Sequence, residues 1–152
     1  MAVHILKSIR DAINTTLDAA VIEIDVNGTL TPVLRLNSPP SGSMIDEAEL
    51  PAFFVFIQGE TIEPDTYKSY RRTLRPVIYM YAKSSGDPQD QLDELQLKIE
   101  IALDGNKTLG GIVYEFMPVA MAAHQDQGRV VFGGRSLEYR CVTSVTSNNP
   151  TI

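Results

Sequence analysis

The segment LPAFFVFIQG, residues 50–59, is the main indicator of the fold in this sequence. Its apolar run ends at Gln58 and Gly59, and a run of this length with such an ending is typical of a β-strand. Apolar and polar residues do not alternate between Leu50 and Ile57. We therefore expect either a central strand buried on both faces or a strand packed against another subunit.

A second long strand follows from Tyr67 to Ala82, and here the side chains alternate. One face of this strand is aliphatic and carries Leu74, Ile78 and Met80. The other face mixes cations with aromatic rings and carries Arg71, Thr73, Arg75, Val77, Tyr79 and Tyr81. Such a strand has one face for the core and one face for solvent or a partner.

Helices are predicted on both sides of these strands. Asp87 is a suitable N-cap with Pro88 at the first helical position, and Gly105 ends the helix. The apolar stripe of this helix consists of Leu92, Leu95, Ile99 and Leu103. A first helix from Val3 to Asp18 has its own stripe, which consists of Ile5, Ile9, Ile13 and Leu17.

Further strands complete the pattern. A hairpin is predicted from Ala20 to Leu36, with its turn at Asn27-Gly28 and its return through Leu30, Val33 and Leu36. Later strands are predicted at Ile112–Met121, interrupted at Pro118, and at Arg129–Val145, bent near Gly133, with a polar turn at Ala122–Gly128 between them. The predicted fold is one α+β domain over residues 1–152. A mainly antiparallel β-sheet packs with two principal α-helices plus a β-hairpin, with a flexible loop near 37–45 and a frayed tail at 147–152.

Composition excludes several classes of protein. The net charge of -6 disfavours binding to nucleic acid through phosphate contacts, since such binding needs many lysine and arginine residues. No apolar run is long enough to span a membrane, and the first residues do not resemble a signal peptide, so cytoplasmic synthesis is expected. The single cysteine, Cys141, is predicted to be a buried structural thiol.

The sequence predicts no catalytic residue, metal site or cofactor. His4 and His124 lack nearby cysteine or histidine partners and are predicted at the surface. The acidic cluster of Asp46, Glu47 and Glu49 precedes Pro51 without the spacing of a calcium loop. A solvated charge run or a subunit contact accounts for it better than a bound cation.

The strand with arginines and tyrosines leaves three alternatives open. Arg71, Arg72 and Arg75 could lie on a plain sheet surface and pair with acidic residues of the preceding segment, namely Glu60, Glu63 and Asp65. Arginine and tyrosine are also the residues that anchor protein interfaces. Stacking of single-stranded bases is the third alternative, which the net charge disfavours.

The segment IDEAELPAFFVFIQGETIE, Ile45 to Glu63, resembles the tail terminator proteins of long-tailed bacteriophages, the lambda-type minor tail protein U family. Members of that family carry an acidic stretch, a proline and then an apolar strand. The resemblance continues through the following strand and helix to Leu103. Elsewhere it is one of element order and chain length, and the Ala20–Ser43 and Ala120–Arg129 segments depart from the shorter members.

The resemblance implies a structural protein and not an enzyme. Members form a hexameric ring that caps the tail tube, stops its polymerisation and offers a surface for head joining. The implied partners are other copies of the chain, the tail tube protein and a head-completion or connector protein, with DNA passing through the lumen without specific binding. The implied location is the head-proximal end of the tail in the virion, after assembly in the host cytoplasm.

By position, the resemblance carries over best at Asp46, Glu47, Glu49 and Pro51. It implies a loop at Glu60–Lys68 that contacts the tube, and the interface set from this segment is Glu60, Glu63, Asp65, Tyr67 and Lys68. Arg71, Arg72 and Arg75 are the candidates for the subunit interface. Two alternatives stay open: a head-tail connector or head-completion protein, and a small ligand-binding α+β domain.

Overall fold

A computed structural model of the chain describes residues 4–37, 50–83, 87–125 and 133–146. The α+β prediction is confirmed: two helices accompany a five-stranded sheet and a two-stranded hairpin. The elements are α1 (Ile5–Ala20), β1 (Glu23–Val26), β2 (Thr29–Pro32), β3 (Leu34–Leu36), β4 (Ala52–Thr66), β5 (Ser69–Tyr81), α2 (Pro88–Asp104), β6 (Glu115–Gln125) and β7 (Gly133–Thr146).

The large sheet has the strand order β3-β4-β5-β7-β6. β3 is parallel to β4 and pairs only with Ala52–Phe54, whereas all other pairs are antiparallel. β5 is paired on both sides, with β4 from Thr66 to Ala52 and with β7 from Thr146 to Gly134. β1 and β2 form a separate hairpin whose turn uses the positive φ angles of Asn27 and Gly28, as predicted.

The core lies between the two helices and one face of the sheet. Both predicted helical stripes are buried, as are Leu74, Ile78 and Met80 of β5. Phe53 and Val55 of β4 complete this face together with alternate residues of β7. Because α1 and α2 each bury a continuous apolar stripe, they are held on the same side of the sheet.

Arg135 fastens α2 to β7 from within the protein. Its guanidinium donates to Asp93 Oδ1 at 2.7 Å, to Gln96 Oε1 at 2.9 Å and to Gln89 Oε1 at 3.2 Å. Three acceptors on one helix disperse the charge of a buried arginine. α2 therefore keeps a fixed position along the sheet, with Asp87 as its N-cap as predicted.

Four details of the predictions are wrong. The predicted loop Glu60–Lys68 is mostly strand, since β4 continues to Thr66 and only two residues make the turn. β6 continues through the expected polar turn as far as Gln125. The hairpin return ends at Pro32, and Leu34–Leu36 joins the large sheet as β3 instead. Of the two alternatives for the apolar run of β4, burial on both faces is wrong, because Phe56 is exposed, whereas packing against another subunit stays a prediction.

The opposite faces of α2 provide a test of where the core lies. Replacement of the fully buried Ile99 by alanine should lower the free energy of unfolding by about 2–5 kcal/mol, since it leaves a cavity. The matched control is Ile101→Ala on the same helix, where the side chain is 63% exposed and the loss should stay below about 0.5 kcal/mol. Urea denaturation measures both, and equal losses would contradict the packing described.

Candidate assembly site

A hairpin arm extends from the core at one end of the sheet. We define it as Gln58–Thr66 of β4, the turn Tyr67-Lys68 and Ser69–Thr73 of β5. Side chains from Thr61 to Lys68 are all exposed, whereas Val55 and Leu74, nearer the helices, are buried. β7 runs beside the arm as far as Thr146 opposite Ser69. The arm is therefore a three-stranded projection with β5 in its centre.

One ion pair lies on the face of the arm that continues the core. Arg72 Nη1 donates to Glu60 Oε1 and Oε2, each at 3.1 Å. Only 11% of the Arg72 side chain and 21% of the Glu60 side chain are exposed. Because this pair is largely shielded from water, it fixes the base of the arm more firmly than a surface pair would.

The other face of the arm carries weaker polar contacts. Arg71 Nη2 lies 3.7 Å from Glu63 Oε2, and both side chains are about half exposed. Ser144 Oγ donates to Asp65 Oδ2 at 3.1 Å, which joins β7 to the end of β4. The prediction that arginines pair with Glu60 and Glu63 is confirmed, but Asp65 contacts a serine instead.

Arg75 lies on the same outward face and crosses Gly59. A Cβ atom at Gly59 would lie 2.7 Å from Arg75 Nη2, closer than a side chain tolerates. The glycine therefore leaves room for the guanidinium at the base of the arm. Arg72 is the exception among the three arginines, since neighbouring residues of a strand point to opposite faces. The three do not form one interface patch.

The turn of the arm presents the most exposed large apolar side chain described in the protein. Tyr67 is 93% exposed, and Lys68 Nζ lies 5.7 Å from the centre of its ring. Among the described residues, Lys68 has no carboxylate within ion-pair distance. An aromatic ring beside an unpaired cation is suited to contact with a partner.

A second surface is the face of the sheet opposite the helices. Phe54 and Phe56 of β4 stack with their ring centres 6.4 Å apart, and they pair in register with Tyr79 and Val77 of β5. Ala120 and Ala122 of β6 continue the same rows through β7. We call these residues the open face. Both helices lie on the opposite face, and on the open face Phe56, Ala120 and Ala122 are exposed whereas Val77 is buried.

A third surface is a groove between α2 and β6. Leu97 and Ile101 are exposed on α2 and face Phe116 and Pro118 of β6 across a space of ≈ 300 Å³. Tyr139 forms its base and stacks on Phe116 with ring centres 4.6 Å apart. Glu100 and Asp104 complete its rim. We call this the α2–β6 groove.

Several predicted residues have other outcomes. Asp46, Glu47 and Glu49 lie outside the described residues, as do much of the loop near 37–45 and the tail 147–152. His4 is exposed as predicted, and its Nδ1 accepts from the backbone N–H of Leu6 to cap α1. His124 lies in β6 and not in a turn. Cys141 is fully buried, as predicted.

In the part of the chain that the structure describes, no three metal-binding side chains converge on a common point. Likewise, neither described helix is long and apolar enough to cross a membrane. No known protein-family model matches the chain, and its comparison with curated proteins finds no significant match. The three surfaces defined above therefore carry the functional inference.

Sequence reasoning missed the α2–β6 groove. The stripe of α2 was identified, but Leu97 and Ile101 lie off it and were assigned no role. Their spacing of four residues is itself a signal, since it places two apolar side chains together on the solvent side of a helix. The opposite wall of the groove, in β6, is distant in sequence and could not be matched to it.

The two glutamates of the arm allow a paired test. Glu60→Ala should lower the free energy of unfolding by about 1–3 kcal/mol, because it leaves the shielded Arg72 guanidinium without its acceptor. Glu63→Ala removes an exposed pair on the same strand and should change it by about 0.5 kcal/mol or less. Denaturation of both variants in parallel measures the difference. Equal effects would mean that Arg72 is not held by Glu60.

Cys141 should be a marker of the folded core. Burial raises the pKa of its thiol to about 12, with a smaller contribution from Glu115. The folded protein should react with a thiol reagent at about pH 8 far more slowly than the unfolded chain, which releases a thiol of pKa about 8.5.

The same shift makes stability depend on pH. The contribution of the buried thiol to the free energy of unfolding is fully present below about pH 8.5. It is lost as the pH rises towards 12, because the thiol of the unfolded chain gives up its proton first. A Cys141→Ala control should lack this part of the alkaline loss in a denaturation series. If both proteins lose stability equally across that range, the thiol is not buried as described.

Proposed function

We propose that the protein is a structural tail terminator of a long-tailed phage. In this role it forms a ring that caps the tail tube and stops its polymerisation. By resemblance to the minor tail protein U family, the ring is hexameric. The head-proximal surface of the ring then receives a head-completion or connector protein. The proposal assigns no catalytic step to the chain.

The observation that carries the proposal is the hairpin arm. A chain that needed only a stable core would gain little from extending its hairpin by Thr61–Lys68, since these side chains are all exposed and bury little apolar surface. An arm with an aromatic residue and a cation at its turn is useful when another protein binds it. This favours an assembly protein over a self-contained binding domain.

The surfaces have distinct roles in the proposed ring. The exposed end of β4, from Thr61 to Asp65, is assigned to tube contact, and Arg71 and Arg75 on the outward face of the arm to contacts with neighbouring subunits. Arg72 and Glu60 are reassigned to internal support, because they pair with each other and are largely shielded from water. Contacts between unlike surfaces on successive copies close into a ring when their rotation closes.

The net charge of -6 supports one further part of the proposal. A ring of acidic subunits would repel the phosphates of DNA, so DNA could pass through the lumen without being retained. In the test of this point, short duplex DNA is added to the assembled ring at low salt. No retention is expected, and tight salt-sensitive binding would contradict an acidic lumen.

Light scattering tests the ring directly. The purified protein should show the mass of a six-membered species, either alone at high concentration or when the phage's tail tube protein is added. Tyr67→Ser together with Lys68→Ser should reduce this species at equal concentration, because the variant lacks the exposed ring and cation of the turn. Its fold is expected to survive, since both side chains point into solvent.

The control variant is Leu30→Ser, which changes an exposed apolar residue on the separate β1–β2 hairpin. It should assemble like the unmodified protein. A chain that stays monomeric at every concentration, with tube protein present, would contradict tail termination. Capture of a portal-side protein with no binding to tube protein would instead identify a connector.

A further inference from the structure

The α2–β6 groove has the features of a site for one inserted side chain. Leu97, Ile101, Phe116 and Pro118 make apolar walls around a space of ≈ 300 Å³. This volume lies at the lower limit of the range for small-molecule sites, and it suits an aromatic ring better than a large ligand. Exposed apolar side chains that converge on one space commonly mark a binding site.

Tyr139 lines the groove and has an unsatisfied hydroxyl. The residue is almost completely buried, and its phenolic oxygen makes no hydrogen bond to any of the described residues. That oxygen has almost no accessible surface, so a group in the groove would reach it only if neighbouring side chains moved apart. A buried hydroxyl without a partner is costly, so such a movement would be repaid by a hydrogen bond to a polar group on an inserted side chain.

The rim of the groove is acidic. Glu100 and Asp104 lie one turn apart on α2, and Lys107 pairs with Asp104 only at the exposed edge, at 3.3 Å. Burial raises the pKa of the Tyr139 hydroxyl, and the negative charges of Glu100 and then Asp104 raise it further. A cation beside the inserted side chain would be attracted to this rim.

The turn of the hairpin arm carries this combination of groups. Tyr67 supplies an exposed aromatic ring with a hydroxyl at its end, and Lys68 supplies a cation next to it. The groove is apolar with carboxylates at its rim, and the turn offers an aromatic ring with a cation beside it, so the two are complementary in polarity and charge.

The arm cannot reach the groove of its own chain. Phe116 of the groove lies opposite Cys141 of β7, whereas the base of the turn, Ser69, lies opposite Thr146. These positions are about 17 Å apart along the strand at ~3.4 Å per residue, and pairing on both sides of β5 holds the arm straight. Only a second copy of the chain can bring its turn to the groove.

We propose that the turn of one copy docks in the α2–β6 groove of the next copy, with Tyr67 inserted above Tyr139 and Lys68 at the rim formed by Glu100 and Asp104. This inference rests on the proposed ring and specifies its subunit contact. The contact joins two different surfaces, so it propagates from copy to copy around a ring. It reassigns the turn to the subunit contact and leaves the strands of the arm for the tube.

Disulfide cross-linking tests this contact. A full-length variant with Lys68→Cys, which keeps Tyr67, is mixed with a second variant with Asp104→Cys, which keeps the apolar walls, and oxidised mildly at the concentration where the ring forms. A disulfide joins the two only if their Cα atoms approach within about 7 Å. We expect a cross-linked dimer as the main product on a non-reducing gel. Lys68→Cys and Asp104→Cys together in one chain should give a ladder of larger species.

The controls separate docking from random collision. Lys68→Cys mixed with Leu30→Cys pairs the turn with an exposed residue away from the groove, and it should give little cross-linked product. The unmodified protein, whose only thiol is buried, should give none. Equal yields with Asp104→Cys and Leu30→Cys would overturn the proposal.

A charge reversal gives a second, independent readout. Lys68→Glu should weaken the association between copies by about two- to five-fold, as expected for one exposed ion pair. Glu100→Lys in the same chain should restore part of this loss, whereas Asp90→Lys, at an exposed site near the start of α2, should not. Absence of selective restoration would contradict the assigned rim.

The outcomes distinguish this contact from the proposed function. If six-membered rings form with no selective cross-link, the ring stands and the docking of Tyr67 is overturned. If no ring forms under any condition and tube protein is not bound, tail termination itself fails. A third outcome is that a small molecule raises the melting temperature, that Ile101→Glu abolishes this rise, and that the mixed cysteine variants give no selective cross-link. In that case the groove is a ligand site and the docking is overturned.

Discussion

The pairing of β5 on both sides is the constraint on which the rest of the structure depends. From Ser69 to Tyr81 this strand lies between β4 and β7, and its pairing continues beyond the region that the helices cover. Backbone groups in the arm thus find partners in neighbouring strands and need no further layer of structure. The arm is ordered within the single chain. Because of this order, binding of a partner to the arm would cost less conformational entropy.

The helices cover one face of the sheet and leave other surfaces outside the core. α1 and α2 cover one face with two buried stripes, and Arg135 fixes α2 against β7 through Asp93, Gln96 and Gln89. The open face and the α2–β6 groove remain as surfaces that the described part of the chain does not cover. Stability thus resides at the helix-covered end, while the exposed groups suited to recognition lie on the arm, the open face and the groove.

Much of the fold could be predicted because its signals are periodic. Isoleucine and leucine at helical spacing identified the buried side of α1, and the alternation of Leu74, Ile78 and Met80 identified the core face of β5. The arm was mistaken for a loop because its strand residues are polar and exposed, so no apolar alternation marks them. Pairing with Ser69–Leu74 of β5 makes Glu60–Thr66 a strand, and a polar hairpin of this kind carries no apolar pattern that would announce it.

The candidate site was only partly predictable for a related reason. Arg71 and Arg72 are neighbours in sequence, yet the pleat of the strand sends one to solvent and the other to Glu60. Gly59 looked like the end of a strand, but it leaves room for Arg75 inside a strand that continues. The groove joins α2 to β6, and local patterns cannot show which surfaces meet in three dimensions.

Electron microscopy of growing tail tubes tests the proposed role in tail termination. Tail tube protein is polymerised with and without this protein, and the lengths and ends of the tubes are measured. The account predicts a ring of this protein at one end of each tube and shorter tubes as its concentration rises. Tubes of unchanged length with bare ends, in the presence of folded protein, would contradict it.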